Sequence, residues 1–180
     1  MKKLLIALGL AAMLSAPAFA EEIYLPNVSG AYGSGSYARV ITTDSPDFYS
    51  FHNGRFGIHT YVPSCVTKAY LPANSDGAIF ENDDGSVRLR ATGSYVGSYF
   101  TINDYFAWAI KSFDDGTISF SSSGSNWYAV SGVKDGMVIY KKGLIIGNVH
   151  GEMEFIYPAW DKDSYDWMVP VLEENFYIDG

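Results

Sequence analysis

The chain holds three imidazoles, His52, His59 and His150, and Glu152 and Glu154 follow His150 at alternate positions. In a strand, residues two apart share a face. Asn148, His150, Glu152 and Glu154 would then line up as nitrogen and oxygen donors of the kind that hold a divalent metal. The same alternation of polar residues is the pattern of a strand's solvent face, which is the reading adopted here, and H-E-x-x-H is absent. A second cluster, FENDDGSVRLR at 80–90, looks like a calcium loop. With Gly85 as the sixth residue, an EF-hand needs an oxygen ligand first and Glu twelfth, whereas the chain offers Phe80 and Ala91. Asp84-Gly85 reads instead as a hairpin corner.

Paired carboxylates could also serve glycoside hydrolysis. Asp83/Asp84, Asp114/Asp115 and Asp161/Asp163/Asp166 all sit beside expected turns or helix starts, where Asp bonds its own backbone. A hydrolase acting on carbohydrate or cell-wall material would draw on Asp83, Asp84, Glu152 and Glu154. Serine triads are assembled in space, and no serine is singled out here. G-x-S-x-G and the P-loop pattern are both missing, and Gly33–Ala38 matches G-x-G-x-x-A inside a Gly/Ser tract without the strand and helix that motif requires. No catalytic residue, cofactor or metal is assigned. The more suggestive residues are aromatic: Trp108, Trp160 and Trp167 fall off the expected core faces. Exposed rings of this kind make contact surfaces, and Trp108 and Trp167 are the candidate interaction surface.

The elements that must position these residues are mostly strands. Four Asp-Gly pairs, at 76–77, 84–85, 115–116 and 135–136, mark turns. Between Ser86 and Thr92 the alternation is clear, with Val87, Leu89 and Ala91 on one face and Arg88, Arg90 and Thr92 on the other. Weaker strand signals cover 48–51, 55–62, 78–81, 117–122, 127–133, 137–142 and 144–157, the last with a bend or bulge expected at Gly147 and Gly151. The spacing of Ile102, Phe106, Ala109, Ile110 and Phe113 predicts a helix capped by Thr101. A second helix gathers Tyr165, Met168, Val169, Leu172 and Phe176, with Pro170 as its kink or true start. The order predicts an α+β domain, a mainly antiparallel β-sheet flanked by helices.

Residues 1–20 read as a cleaved signal peptide: Lys2 and Lys3, an apolar run from Leu4 to Leu14, then Ala18-Phe19-Ala20. The run is short for a bilayer span, so the expectation is a periplasmic or extracellular protein with no membrane anchor after cleavage. Residues 21–46 read as a flexible or loosely docked Gly/Ser-rich leader and 47–180 as one domain. The chain has 12 basic residues, two of them in the signal, against 20 acidic ones. That balance disfavours nucleic acid. Cys65, the single cysteine, cannot form an internal disulfide and is expected to be a buried side chain.

Taken together, FHNGRFGIHTYVPS (51–64), NSDGAIFENDDGSVRLRATGSY (74–95), WYAVSGVKDGMVIYKK (127–142) and FIYPAWDKDSYDWMVPVLEENF (155–176) resemble a family of small, uncharacterised secreted bacterial proteins with a PsbP-like α/β/α sandwich. Where that family has Asp-Pro opening the last helix, this chain has Asp166-Trp167, with proline only at Pro170. The shared residues make turns and packing. The resemblance therefore implies a fold and brings no catalytic residue with it. The functional expectation is an exported, non-enzymatic binding or accessory domain for a protein partner or small ligand. Its alternatives are the hydrolase above and an acidic periplasmic inhibitor or immunity-type protein, whose complex would weaken with salt.

Overall fold

The computed structural model describes residues 27–30 and 38–180, so the expected signal peptide and most of the Gly33–Ala38 motif lie outside the described residues. The strands are β1 (Asn27–Gly30), β2 (Ala38–Thr42), β3 (Phe48–Asn53), β4 (Ile58–Pro63), β5 (Lys68–Leu71), β6 (Gly77–Glu81), β7 (Arg88–Tyr95), β8 (Thr117–Ser123), β9 (Trp127–Lys134), β10 (Met137–Ile146), β11 (Val149–Pro158) and β12 (Tyr177–Ile178). Helix α1 (Ile102–Lys111) lies between β7 and β8; a 3-10 turn (Ala159–Ser164) and α2 (Met168–Glu174) lie between β11 and β12. The strands form an eight-stranded sheet, ordered β1-β5-β6-β7-β11-β10-β9-β8, and a four-stranded sheet, β12-β4-β3-β2. Every described pairing is antiparallel except β1 with β5.

The period-two pattern decides which faces meet. On β7 and at the residue before it, Val87, Leu89 and Ala91 are fully buried and Arg88, Arg90 and Thr92 are not, as the sequence predicts. Register carries that face across Phe80, Phe155 and Tyr140, and it packs on the inward residues of the small sheet, Val40, Phe51, Ile58 and Val62, together with Leu172 of α2. This is the main core. Helix α1 covers the opposite face near β8, β9 and β10, where Ile102, Ala109 and Phe113 pack on Tyr128 and Val130 in a second cluster. The layers are helix, large sheet, then small sheet with α2, an α+β arrangement dominated by antiparallel strands.

Four details correct or sharpen the sequence reading. First, the stretch expected to be a leader contributes strands: β2 pairs with β3 and buries Val40, and β1 pairs with β5, so packing begins before Asp47. Second, 144–157 is not one bent strand. Gly147, at φ +59°, reverses the chain, so that Ile146 pairs with Val149 and β10 runs back as β11. Gly151 stays in the strand, beneath the side chains of Ile178 and Ile58. Third, Pro170 marks a true start, since α2 begins at Met168 and proline falls in its first turn, where no intrahelical N–H is needed. Fourth, Cys65 is exposed. The turn after β4, closed by the Val66 N–H donating to the Pro63 carbonyl at 3.1 Å, sends Val66 into the core and leaves Cys65 outside. Partial desolvation still raises the Cys65 thiol above its ordinary value.

Candidate functional site

Helix α1 starts where the sequence places it. Thr101 is extended, and its N–H and hydroxyl both donate to the Asp104 carboxylate at 2.8 Å, which holds that carboxyl below the usual range. Fixing this end fixes the azimuth of the helix. Ile102 and Ala109 then face the sheet, and Trp108, outside the apolar stripe, is left 48% exposed. Phe100, just before the cap, is 47% exposed. The Phe100, Tyr105 and Trp108 rings meet edge to face, with centroids 5.0 Å apart for Phe100–Trp108, 5.2 Å for Tyr105–Trp108 and 6.3 Å for Phe100–Tyr105. Aromatic pairs at such distances and angles are favourable beyond their buried area. The three rings form a supported ridge, with Tyr99, 94% exposed, beside it.

The support is polar and buried. Tyr105 stacks on His150 at 3.7 Å between centroids and covers it, so His150 is only 8% exposed. This overturns the reading of His150, Glu152 and Glu154 as a solvent face: α1 lies over it. Burial pushes the His150 imidazole down to about 4, leaving it neutral at pH 7. Its Nε2 is 3.4 Å from the Tyr128 hydroxyl, which donates to Glu152 Oε2 at 2.5 Å. The reach from β9 to β11 depends on Gly143. That residue lies between Tyr128 and Glu152 in the register, and a Cβ on it would run into the Tyr128 ring. Arg90 donates from Nη2 to Glu152 Oε1 at 2.8 Å and places Nε 3.5 Å from Glu154 Oε1; the Lys141 ammonium is 2.8 Å from Glu154 Oε2.

Two cations thus meet two carboxylates. Burial alone would raise the Glu154 carboxyl, but Arg90 and Lys141 outweigh it and hold the group below its ordinary value. The Tyr128 hydroxyl is pushed the other way, upward, by burial and by the Glu152 charge. Both Glu152 oxygens accept hydrogen bonds and Glu154 Oε2 lies 2.8 Å from the Lys141 ammonium, whereas the buried Arg90 Nε makes no hydrogen bond to Glu154 Oε1, so the chain of groups chiefly positions side chains.

The remaining sequence candidates scatter. Asp83 accepts from the Thr67 hydroxyl at 2.5 Å and Asp84 from the Ser86 N–H at 2.9 Å, both in the β6–β7 hairpin and away from Glu152 and Glu154. The four hydrolase candidates therefore do not converge. Trp167 packs edge to face on Phe48 at 5.6 Å, and its indole N–H donates to the Ser164 carbonyl at 3.0 Å. It belongs to the small-sheet side, whereas Trp108 stands on α1 across the large sheet; the two do not form one surface. Trp160, 84% exposed, follows β11. The sequence reading passed over one further group: His52 and His59 come together with Asp179 on the outer face of the small sheet. The strand signals at 48–51 and 55–62 contained the clue, since the hairpin between them pairs His52 with His59.

No protein-family model and no curated protein matches the chain in sequence. Among solved structures, its fold is similar to that of cyanobacterial PsbP (CyanoP) from Synechocystis sp. PCC 6803, with a TM-score of 0.56 at 10% identity over 84% of this chain and 97% of that one. Such a likeness concerns the fold alone.

Proposed function

We propose that this protein is an exported, non-enzymatic binding or accessory domain that contacts a protein partner through the Phe100–Tyr105–Trp108 ridge. The observation that carries this reading is the edge-to-face locking of three rings, two of them about half exposed, on a capped helix whose Tyr105 stacks on the buried His150. Large rings that are already ordered lose little entropy on binding and dominate interface energetics. The rings stand on exposed surface with Tyr99 beside them, which suits a macromolecular partner better than a small ligand. The pairing of Glu152 with Arg90 and Tyr128, and of Glu154 with Lys141, supports a non-catalytic role over the hydrolase alternative. The Lys2–Ala20 leader supports export, and the acid-rich composition favours a partner with a basic rim around an apolar centre. The likeness to PsbP and the sequence resemblance fit the wider reading of a small secreted domain with the PsbP-like α/β/α sandwich.

The test is affinity capture from the native periplasm or culture medium with mass spectrometry, comparing wild type with Phe100→Ala/Trp108→Ala. A protein enriched by wild type, lost with the double variant and weakened by salt is the expected result. Equal enrichment by both forms contradicts the proposal.

A further inference from the structure

The outer face of the small sheet carries a constellation unrelated to the α1 ridge. Antiparallel register sets His52 of β3 directly opposite His59 of β4, and Tyr177 of β12 opposite His59 on its other side. The three rings stack in a row: His52 on His59 at 4.2 Å and 22°, His59 on Tyr177 at 4.4 Å and 8°. His59 is therefore clamped between two flat neighbours. Asp179 follows β12, and its N–H donates to the Gly57 carbonyl at 2.8 Å. Gly57 sits at φ +63°, and a Cβ there would come within 3.0 Å of the Asp179 Cβ; this turn fits the Asp179 side chain against the hairpin. The result is a carboxylate 3.1 Å from His59 Nε2 and 3.8 Å from His52 Nε2.

We infer that His52, His59 and Asp179 form a binding site for a zinc-class divalent transition metal, using two imidazole nitrogens and one carboxylate oxygen. The three donor atoms lie within 4.8 Å of one another. A tetrahedral ion with bonds of roughly 2.0–2.2 Å spaces its ligands about 3.3–3.6 Å apart, so closure requires His52 and His59 to turn out of their stack until the in-plane lone pairs of the two imidazole nitrogens converge on the ion. Half-buried imidazoles beside a carboxylate that is 58% exposed leave the remaining coordination positions to water. Two nitrogen donors select Zn²⁺ or Cu²⁺ over Ca²⁺ or Mg²⁺, which require oxygen shells. Tyr177 packs on the other side of the His59 ring, and the Gly57 carbonyl, accepting from the Asp179 N–H, fixes the backbone that carries the carboxylate. Arg39, opposite His52 on β2, opposes a cation, and a balance of one carboxylate against one arginine points to moderate affinity. Bound metal would tie β3, β4 and the C-terminal strand together.

Only three histidines exist and His150 is buried beneath Tyr105, so imidazole binding in an untagged chain reports on this site. Calorimetric titration of purified, untagged Cys65→Ser protein with ZnCl₂ should give one equivalent per chain. Zinc at 100-fold over Kd should raise the melting temperature by about 5–10 °C. His52→Asn/His59→Asn should abolish both effects, and Asp179→Asn should weaken binding at least tenfold. CaCl₂ should give neither. Zinc binding by the double-histidine variant at wild-type strength, or no binding by the parent, overturns the inference. Electron paramagnetic resonance of the Cu²⁺-loaded parent needs no variant: hyperfine structure from two imidazole nitrogens is expected, and an oxygen-only spectrum refutes the site.

Discussion

The buried neutral imidazole of His150 makes a specific demand on how stability changes with pH. In the unfolded chain this group takes up its proton near 6.5, whereas under Tyr105 it does so near 4. Between those values the unfolded state binds more protons than the folded one, so stability is full above about pH 6.5 and is lost as the pH falls towards 4. With these two pKa values, linkage gives a loss of about 2 kcal/mol on going from pH 7.5 to pH 5. His150→Phe keeps a flat ring under Tyr105 and removes the titration. Urea unfolding followed by circular dichroism at both pH values measures the quantity directly. Wild type should lose about 2 kcal/mol more than His150→Phe over this interval. His52, whose imidazole is also lowered, contributes equally to both proteins and cancels in the comparison. An equal loss in the two proteins would refute the claim that α1 seals His150 from water.

Two further substitutions probe the network beneath the ridge. Gly143→Ala places a methyl group where the Tyr128 ring crosses β10 and should break the hydroxyl bond to Glu152; the cost in urea unfolding is expected to be about 2–3 kcal/mol. Lys141→Met removes the nearest cation from Glu154 in a largely dry setting and should cost about 3 kcal/mol, measured in the same way, with the loss shrinking as acid protonates Glu154.

The parts of this structure that were legible in the sequence are those encoded locally. The alternation from Val87 to Ala91 identified a strand and its buried face, and Thr101 with the Ile102–Phe113 spacing identified α1 and left Trp108 outside its stripe. Non-local covering was not encoded in any window. His150, Glu152 and Glu154 do share a face, but whether it meets water depends on α1, some forty residues earlier in the chain. β2 and β12 are too short to show a period, and they acquire strand character from β3 and β4. The His52–His59 pairing required the register of one hairpin, and Asp179 joins it only through β12. Trp167 shows the same limit from the other side. It falls off its helix's apolar stripe as read, yet Phe48 from the small sheet and the Ser164 carbonyl occupy it.

The binding role of the α1 ridge is most directly tested by site-specific photocrosslinking in the native organism. A photoreactive amino acid replaces Trp108 in one strain and Trp160, the more exposed tryptophan, in another. A discrete adduct with one protein from position 108 and none from position 160 is the predicted outcome. An adduct from position 160 with none from position 108 would place the contact elsewhere and contradict the account.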